Sequence, residues 1–77
     1  MTFTAEYTDT FGGEANYSWV HRVSFEMPDN ASQAAIMRRA KRELGISGTC
    51  GKTVDDGEGY KFTPYRRCVV LFVYPVY

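Results

Sequence analysis

His21, Cys50, Cys68 and the acidic run Asp55, Asp56 and Glu58 are the side chains best suited to hold a metal or move a proton. A structural zinc site wants four ligands, usually with two cysteines separated by two to four residues. Cys50 and Cys68 stand far apart, and His21 is the sole histidine. A general base needs a nucleophile or an orienting group within reach. His21 lies in a stretch of alternating residues beside Trp19 and Val23, and reads as a packed strand residue. A calcium loop needs oxygen ligands at alternate positions and a distal bidentate glutamate. The Asp55–Glu58 run is too short for that and reads as a solvated hairpin tip. No nucleophile elbow, phosphate-binding loop or dinucleotide fingerprint occurs. The expectation is a protein that is not an enzyme, with no metal and no cofactor.

Cations form the next group. Arg38, Arg39, Lys41 and Arg42 crowd one short segment, and Arg66 and Arg67 form a second pair. Together they are candidate phosphate-binding residues. A plainer reading competes, because cations in the last turn of a helix complement its dipole. Nine basic and nine acidic residues leave no net charge at pH 7. Any pull on nucleic acid would therefore have to come from a local patch.

Aromatics form the third group. Six Tyr, five Phe and one Trp make up 16% of the chain. Rings fill a small core well, but Tyr and Trp also serve exposed contact surfaces, having an apolar body and a polar tip. Tyr17, Trp19 and Tyr74, with Glu14 beside the Gly12-Gly13 turn, are the candidate protein-binding residues.

The elements that must position these groups follow from periodicity. Residues 2–8 alternate, with Phe3, Ala5 and Tyr7 on one side, as in a half-buried strand. Gly12-Gly13 supplies the positive φ of a tight reversal. Alternation resumes from Asn16 to Phe25, which places Tyr17, Trp19, His21, Val23 and Phe25 on one face. Asn30 is a good N-cap with Gln33 three residues on, as in a capping box. A helix over residues 31–44 follows, its apolar stripe made by Ile36, Met37, Ala40 and Leu44. Arg38, Lys41 and Arg42 point away from that stripe, and Gly45 suits the helix end. Thr49–Val54 and Tyr60–Thr63 read as short strands around the acidic turn, with Pro64 ending the second. Cys68–Tyr74 is apolar on both faces, which suits a central strand or a covered edge, and Pro75 closes it.

The predicted fold is a single α+β domain over 77 residues. One helix packs on an antiparallel sheet of four to five strands, in the order β-β-α-β-β-β. One helix is ~10 Å across and strands lie ~4.8 Å apart, so it covers about two strands of one face. The rest of the sheet calls for strong twist, a homodimer or a partner surface. No signal pattern or membrane-length apolar run is present, and two cysteines make no disulfide framework. A protein with reduced thiols in the cytoplasm is expected.

The stretch Tyr7-Thr8-Asp9-Thr10-Phe11-Gly12-Gly13-Glu14-Ala15-Asn16-Tyr17-Ser18-Trp19-Val20 resembles a set of small proteins encoded by bacteriophages and prophages. Arg42-Glu43-Leu44-Gly45-Ile46 and Val70-Leu71-Phe72-Val73-Tyr74-Pro75 extend that resemblance over most of the chain. It implies an origin and the cytoplasm of a bacterial host cell, and it transfers no activity. Proteins of this kind often bind and inhibit a host polymerase, a nuclease, or a CRISPR or restriction complex. The expected function is a non-enzymatic protein-binding module that inhibits or modulates a bacterial host or defence protein. The alternatives are a small nucleic-acid-binding domain, using sheet aromatics and helix arginines, and a virion assembly protein burying its sheet in a homo-oligomer.

Overall fold

The computed structural model describes residues 1–76. The chain runs β1 (Thr2–Phe11), β2 (Glu14–Glu26), α1 (Gln33–Glu43), β3 (Gly51–Asp55), β4 (Tyr60–Pro64) and β5 (Val69–Val76). The five strands form one sheet in the order β2-β1-β5-β4-β3. Every neighbouring pair is antiparallel. The α+β class and the element order agree with the sequence reading, and of the two places left open for the last strand, central or covered edge, it takes the central one.

The registers set the faces. Phe3 pairs with Phe25 and Pro75, Ala5 with Val23 and Val73, and Tyr7 with His21 and Leu71. Phe62 pairs with Leu71 and Tyr60 with Val73. These residues share the face on which α1 lies. There Ile36, Met37 and Ala40 meet Phe3, Ala5, Phe25, Phe62, Leu71 and Val73 to make the core. The Phe3 and Phe25 rings stack at 6.0 Å between centroids.

Several local features differ from the expectation. The helix starts at Gln33, and Ser32 is its N-cap, its hydroxyl accepting from the Ala35 backbone N–H at 3.2 Å. Ser32 displaces Asn30 because the chain still turns at residues 29–30, with Ala31 N–H donating to Pro28 O. β5 also continues through Pro75 to Val76. The last residue of β5 to pair with β4 is Val73, so the missing N–H of Pro75 falls where no neighbour requires it.

Lys41 does not point away from the core. Its ammonium sits 3.9 Å from the centre of the Phe62 ring and donates to Thr49 O. Its stem covers apolar surface while the charge reaches polar partners. Arg39 lies 5.6 Å from the Phe25 ring centre and pairs with Glu43 one turn on.

Candidate functional site

Among the described residues no helix lies over the sheet face opposite α1. Along β1 it carries Thr4, Glu6 and Thr8, facing Ser24, Arg22 and Val20 of β2 and Tyr74, Phe72 and Val70 of β5. Lys61 follows opposite Phe72. Thr8 and Val70 are buried here, whereas Tyr74 is exposed and Phe72 half-buried.

Tyr17 joins this face through a break in β2. Between paired residues β1 advances two steps, Thr8 to Thr10, while β2 advances five, Ala15 to Val20. The surplus loops out as a bulge, with Tyr17 at φ 55°. The Asp9 carboxylate holds it, accepting from the Ser18 hydroxyl at 2.6 Å, Asn16 Nδ2 at 3.0 Å and the Ser18 backbone N–H at 3.0 Å. The Ser18 and Asn16 side chains lower the Asp9 carboxyl from 3.8 to about 2. The Thr8 hydroxyl donates to Trp19 O at 2.8 Å and fixes the far end of the bulge.

The turned tyrosine completes a polar triad. Its hydroxyl donates to Glu6 Oε1 at 2.6 Å, and Arg22 Nε donates to Glu6 Oε2 at 2.8 Å. Desolvation alone would raise the Glu6 carboxyl, but the bonds from Tyr17 and Arg22 hold it below its usual range. The bond to Glu6 in turn raises the Tyr17 phenol. Glu6, Tyr17, Phe72 and Tyr74 line a recess of ≈ 230 Å³ whose other wall is Asp56, Glu58, Gly59 and Tyr60. The arrangement is a shallow aromatic surface with a fixed anion beneath it and an acidic rim. Among the described residues it holds no nucleophile–base pair.

The structure separates the residues singled out in the sequence. Tyr17 and Tyr74 come together, but Trp19 lies on the other face, edge-on to Tyr7 at 5.4 Å and to His21 at 5.5 Å. The alternation that put Tyr17 beside Trp19 fails because of the bulge. Glu14 is exposed where β2 begins, away from the recess. Of the six candidate phosphate binders, Arg39 and Lys41 are committed to Glu43 and Phe62. Arg38 and Arg42 stand together beside Glu26 along a shallow hollow. Arg66 and Arg67 are exposed in the turn before β5, Arg66 at φ 60°. Sequence reasoning missed Glu6, Asp9, Arg22 and Phe72. Glu6 and Arg22 carried a signal as opposite charges that the hairpin register sets face to face, whereas Asp9 and Phe72 carried none of that kind.

A second concavity of ≈ 740 Å³ separates α1 from β3, with Met37, Arg38, Lys41, Cys50 and Thr53 among its walls. Cys50 and Cys68 are exposed free thiols. Among the described residues no three His, Cys, Asp or Glu side chains are grouped to hold a metal, and no helix is long and apolar enough to cross a membrane. No family model, curated protein or solved structure matches the chain.

Proposed function

We propose that the protein is a non-enzymatic protein-binding module whose contact surface is the helix-free face of the sheet, centred on Tyr17, Phe72 and Tyr74. The observation that carries this reading is the pinning of Tyr17. A half-buried carboxylate, itself paired with an arginine, holds an exposed ring beside Tyr74, where side-chain alternation alone would have turned it to the other face. A ring already ordered in the free protein loses little freedom on binding. Interface centres favour Tyr, Trp and Arg. The target is a bacterial host or defence protein that the module inhibits or modulates, which rests on the phage-type resemblance. Its own contact surface would present apolar groups to the rings and a cation to Asp56 and Glu58.

The test is affinity capture from bacterial lysate with nuclease added, comparing the wild-type chain with a Tyr17→Ala/Tyr74→Ala double variant. A host protein retained by the wild type and reduced at least about 30-fold with the variant, as loss of a ~2 kcal/mol anchor requires, supports the reading. Equal capture by both chains removes this face from the interface. Nucleic acid becomes the better reading if all binding vanishes with nuclease and falls steeply with salt. Virion assembly becomes the better reading if the chain retains only copies of itself.

A further inference from the structure

We propose that the free edge of β2 pairs antiparallel with the same edge of a second copy of this chain, about a twofold axis through Val23. β2 has thirteen residues and stands at the end of the sheet order. Its backbone groups can be assigned to the two sides. Met27 N–H donates to Met1 O at 2.9 Å, and the Met1 nitrogen donates to Met27 O at 2.8 Å. Such mutual pairs recur at every second residue of an antiparallel ladder. By the observed register, Phe25, Val23 and His21 therefore bond inward to Phe3, Ala5 and Tyr7. The N–H and C=O groups of Val20, Arg22, Ser24 and Glu26 point outward at the open edge. Thr10 N–H donating to Cys68 O fits the same alternation on β1.

Natural sheets blunt such edges with proline, lysine, bulges or short strands. The bulge protects residues 16–19, and β3 at the other edge has only five residues, Lys52 among them. Residues 20–26 are regular and contain neither Pro nor Lys. Their one cation, Arg22, is drawn over the sheet face onto Glu6.

The register is selected by elimination. Outward residues must pair with outward residues. An axis at Arg22 sets Arg22 against Arg22, which places like charges opposite each other. An axis at Ser24 sets Val20 against Pro28, which has no N–H. An axis at His21 runs Ser24 into Ser18 of the bulge. An axis at Val23 uses the whole regular stretch. It pairs Val20 with Glu26 and Arg22 with Ser24 of the second copy, packs Val23 on Val23, and sets His21 against Phe25. A twofold axis of this kind is perpendicular to the sheet. Both helices then lie on one side and both Tyr17–Phe72–Tyr74 surfaces on the other, giving one continuous sheet with two aromatic recesses. Zero net charge leaves no overall repulsion between the copies. The pairing stands independently of what the aromatic face binds.

The test combines sedimentation velocity over a concentration series with cysteine cross-linking. The wild type is expected to dimerise as concentration rises. Ser24→Pro removes an N–H that faces only the second copy, so it should weaken association at least about tenfold, the loss of roughly one hydrogen bond per strand, with the circular dichroism kept. In a Cys50→Ser/Cys68→Ser background, Val23→Cys should form an intermolecular disulfide on mild oxidation. Opposed residues of a non-hydrogen-bonded pair lie ~4.5 Å apart at Cα, within disulfide range. Ser24→Cys should not, because its symmetry mate is displaced along the strand. The proposal is overturned by a wild type that stays monomeric throughout, by dimerisation unchanged in Ser24→Pro, or by Ser24→Cys linking in preference to Val23→Cys. If Ser24→Pro does not fold, the two cysteine variants decide the matter alone.

Discussion

The two faces of the sheet are made from the same strands by different means. On the helix side, apolar side chains from four strands and α1 exclude water, and the interactions are many and non-directional. On the open side few directional contacts hold the surface: Tyr17 and Arg22 on Glu6, and Asp9 on Ser18 and Asn16. A chain this short carries only a small stability margin. The packed face should therefore supply the stability, and the open face should be free to present rings.

Truncation gives the largest contrast between them. Phe62 is 1% exposed and Tyr74 is 36% exposed. Phe62→Ala should destabilise by about 3–5 kcal/mol, the loss of a buried ring plus the cavity left behind. Tyr74→Ala should change stability by about 1 kcal/mol or less, as an exposed substitution does. Urea unfolding followed by circular dichroism measures both. Equal losses would mean that the open face is part of the core.

A tighter probe is Gly59, which lies against β5 just before β4 begins. A Cβ there would lie 2.3 Å from Val73 O and 2.9 Å from Tyr74 Cα, both backbone atoms. Gly59→Ala should destabilise by about 2–3 kcal/mol, since the strands must separate to admit the methyl group. Gly57→Ala is the useful contrast. Its Cβ would meet nothing within 4 Å, and its φ of 91° is the only obstacle, so a smaller loss of about 1 kcal/mol is expected.

The helix side was largely legible because its signals are periodic. Ile36, Met37 and Ala40 announce one face of a helix, and Phe3-Ala5-Tyr7 one face of a strand, without knowledge of any neighbour. The open side was legible only in part. Tyr74 and Phe72 follow alternation, but Tyr17 is placed by Asp9, a side chain on another strand. The Gly12-Gly13 turn shows where the hairpin reverses, while the bulge depends on which residues then meet. Lys41 was misplaced for a related reason. On a helical wheel it is a polar residue beside the stripe, and only the position of Phe62 on β4 turns it inward. The helix cap moved from Asn30 to Ser32 because several residues in Asp29-Asn30-Ala31-Ser32 can cap, and the path of the connection chooses among them.

Acid should act on the open side first. Asp9 binds its proton at about 2 in the folded chain, against 3.8 ordinarily. The unfolded chain therefore takes up the proton more readily. The stability supplied by this carboxylate is complete above about pH 4 and is lost as pH falls through about 2. Glu6 and Glu26 are lowered as well and act in the same direction. Asp9→Asn should flatten the dependence of the denaturation midpoint on pH in this window without abolishing it. Trp19, whose carbonyl closes the bulge, reports local loosening by its fluorescence. An unchanged pH profile in Asp9→Asn would show that the bulge is held by backbone geometry and not by the carboxylate.

The smallest change separates anchoring from burial on the open face. Tyr17→Phe keeps the ring and deletes the bond to Glu6, with an expected loss of about 0.5–1 kcal/mol in stability. The consequence for partner binding should be larger than this loss implies. Once released from Glu6, a residue at φ 55° sits in a region that side chains other than glycine rarely favour, and only the bonds of Asp9 and Thr8 to its neighbours still hold it there. The ring should then sample more orientations, and ordering it would oppose association. Tyr17→Phe should therefore weaken capture of the partner while Tyr74→Phe leaves it nearly unchanged, because the Tyr74 hydroxyl makes no hydrogen bond among the described residues and its ring stands on a regular strand. If the two phenylalanine variants bind alike, the hydroxyl is not what orders Tyr17, and the bulge alone positions the ring.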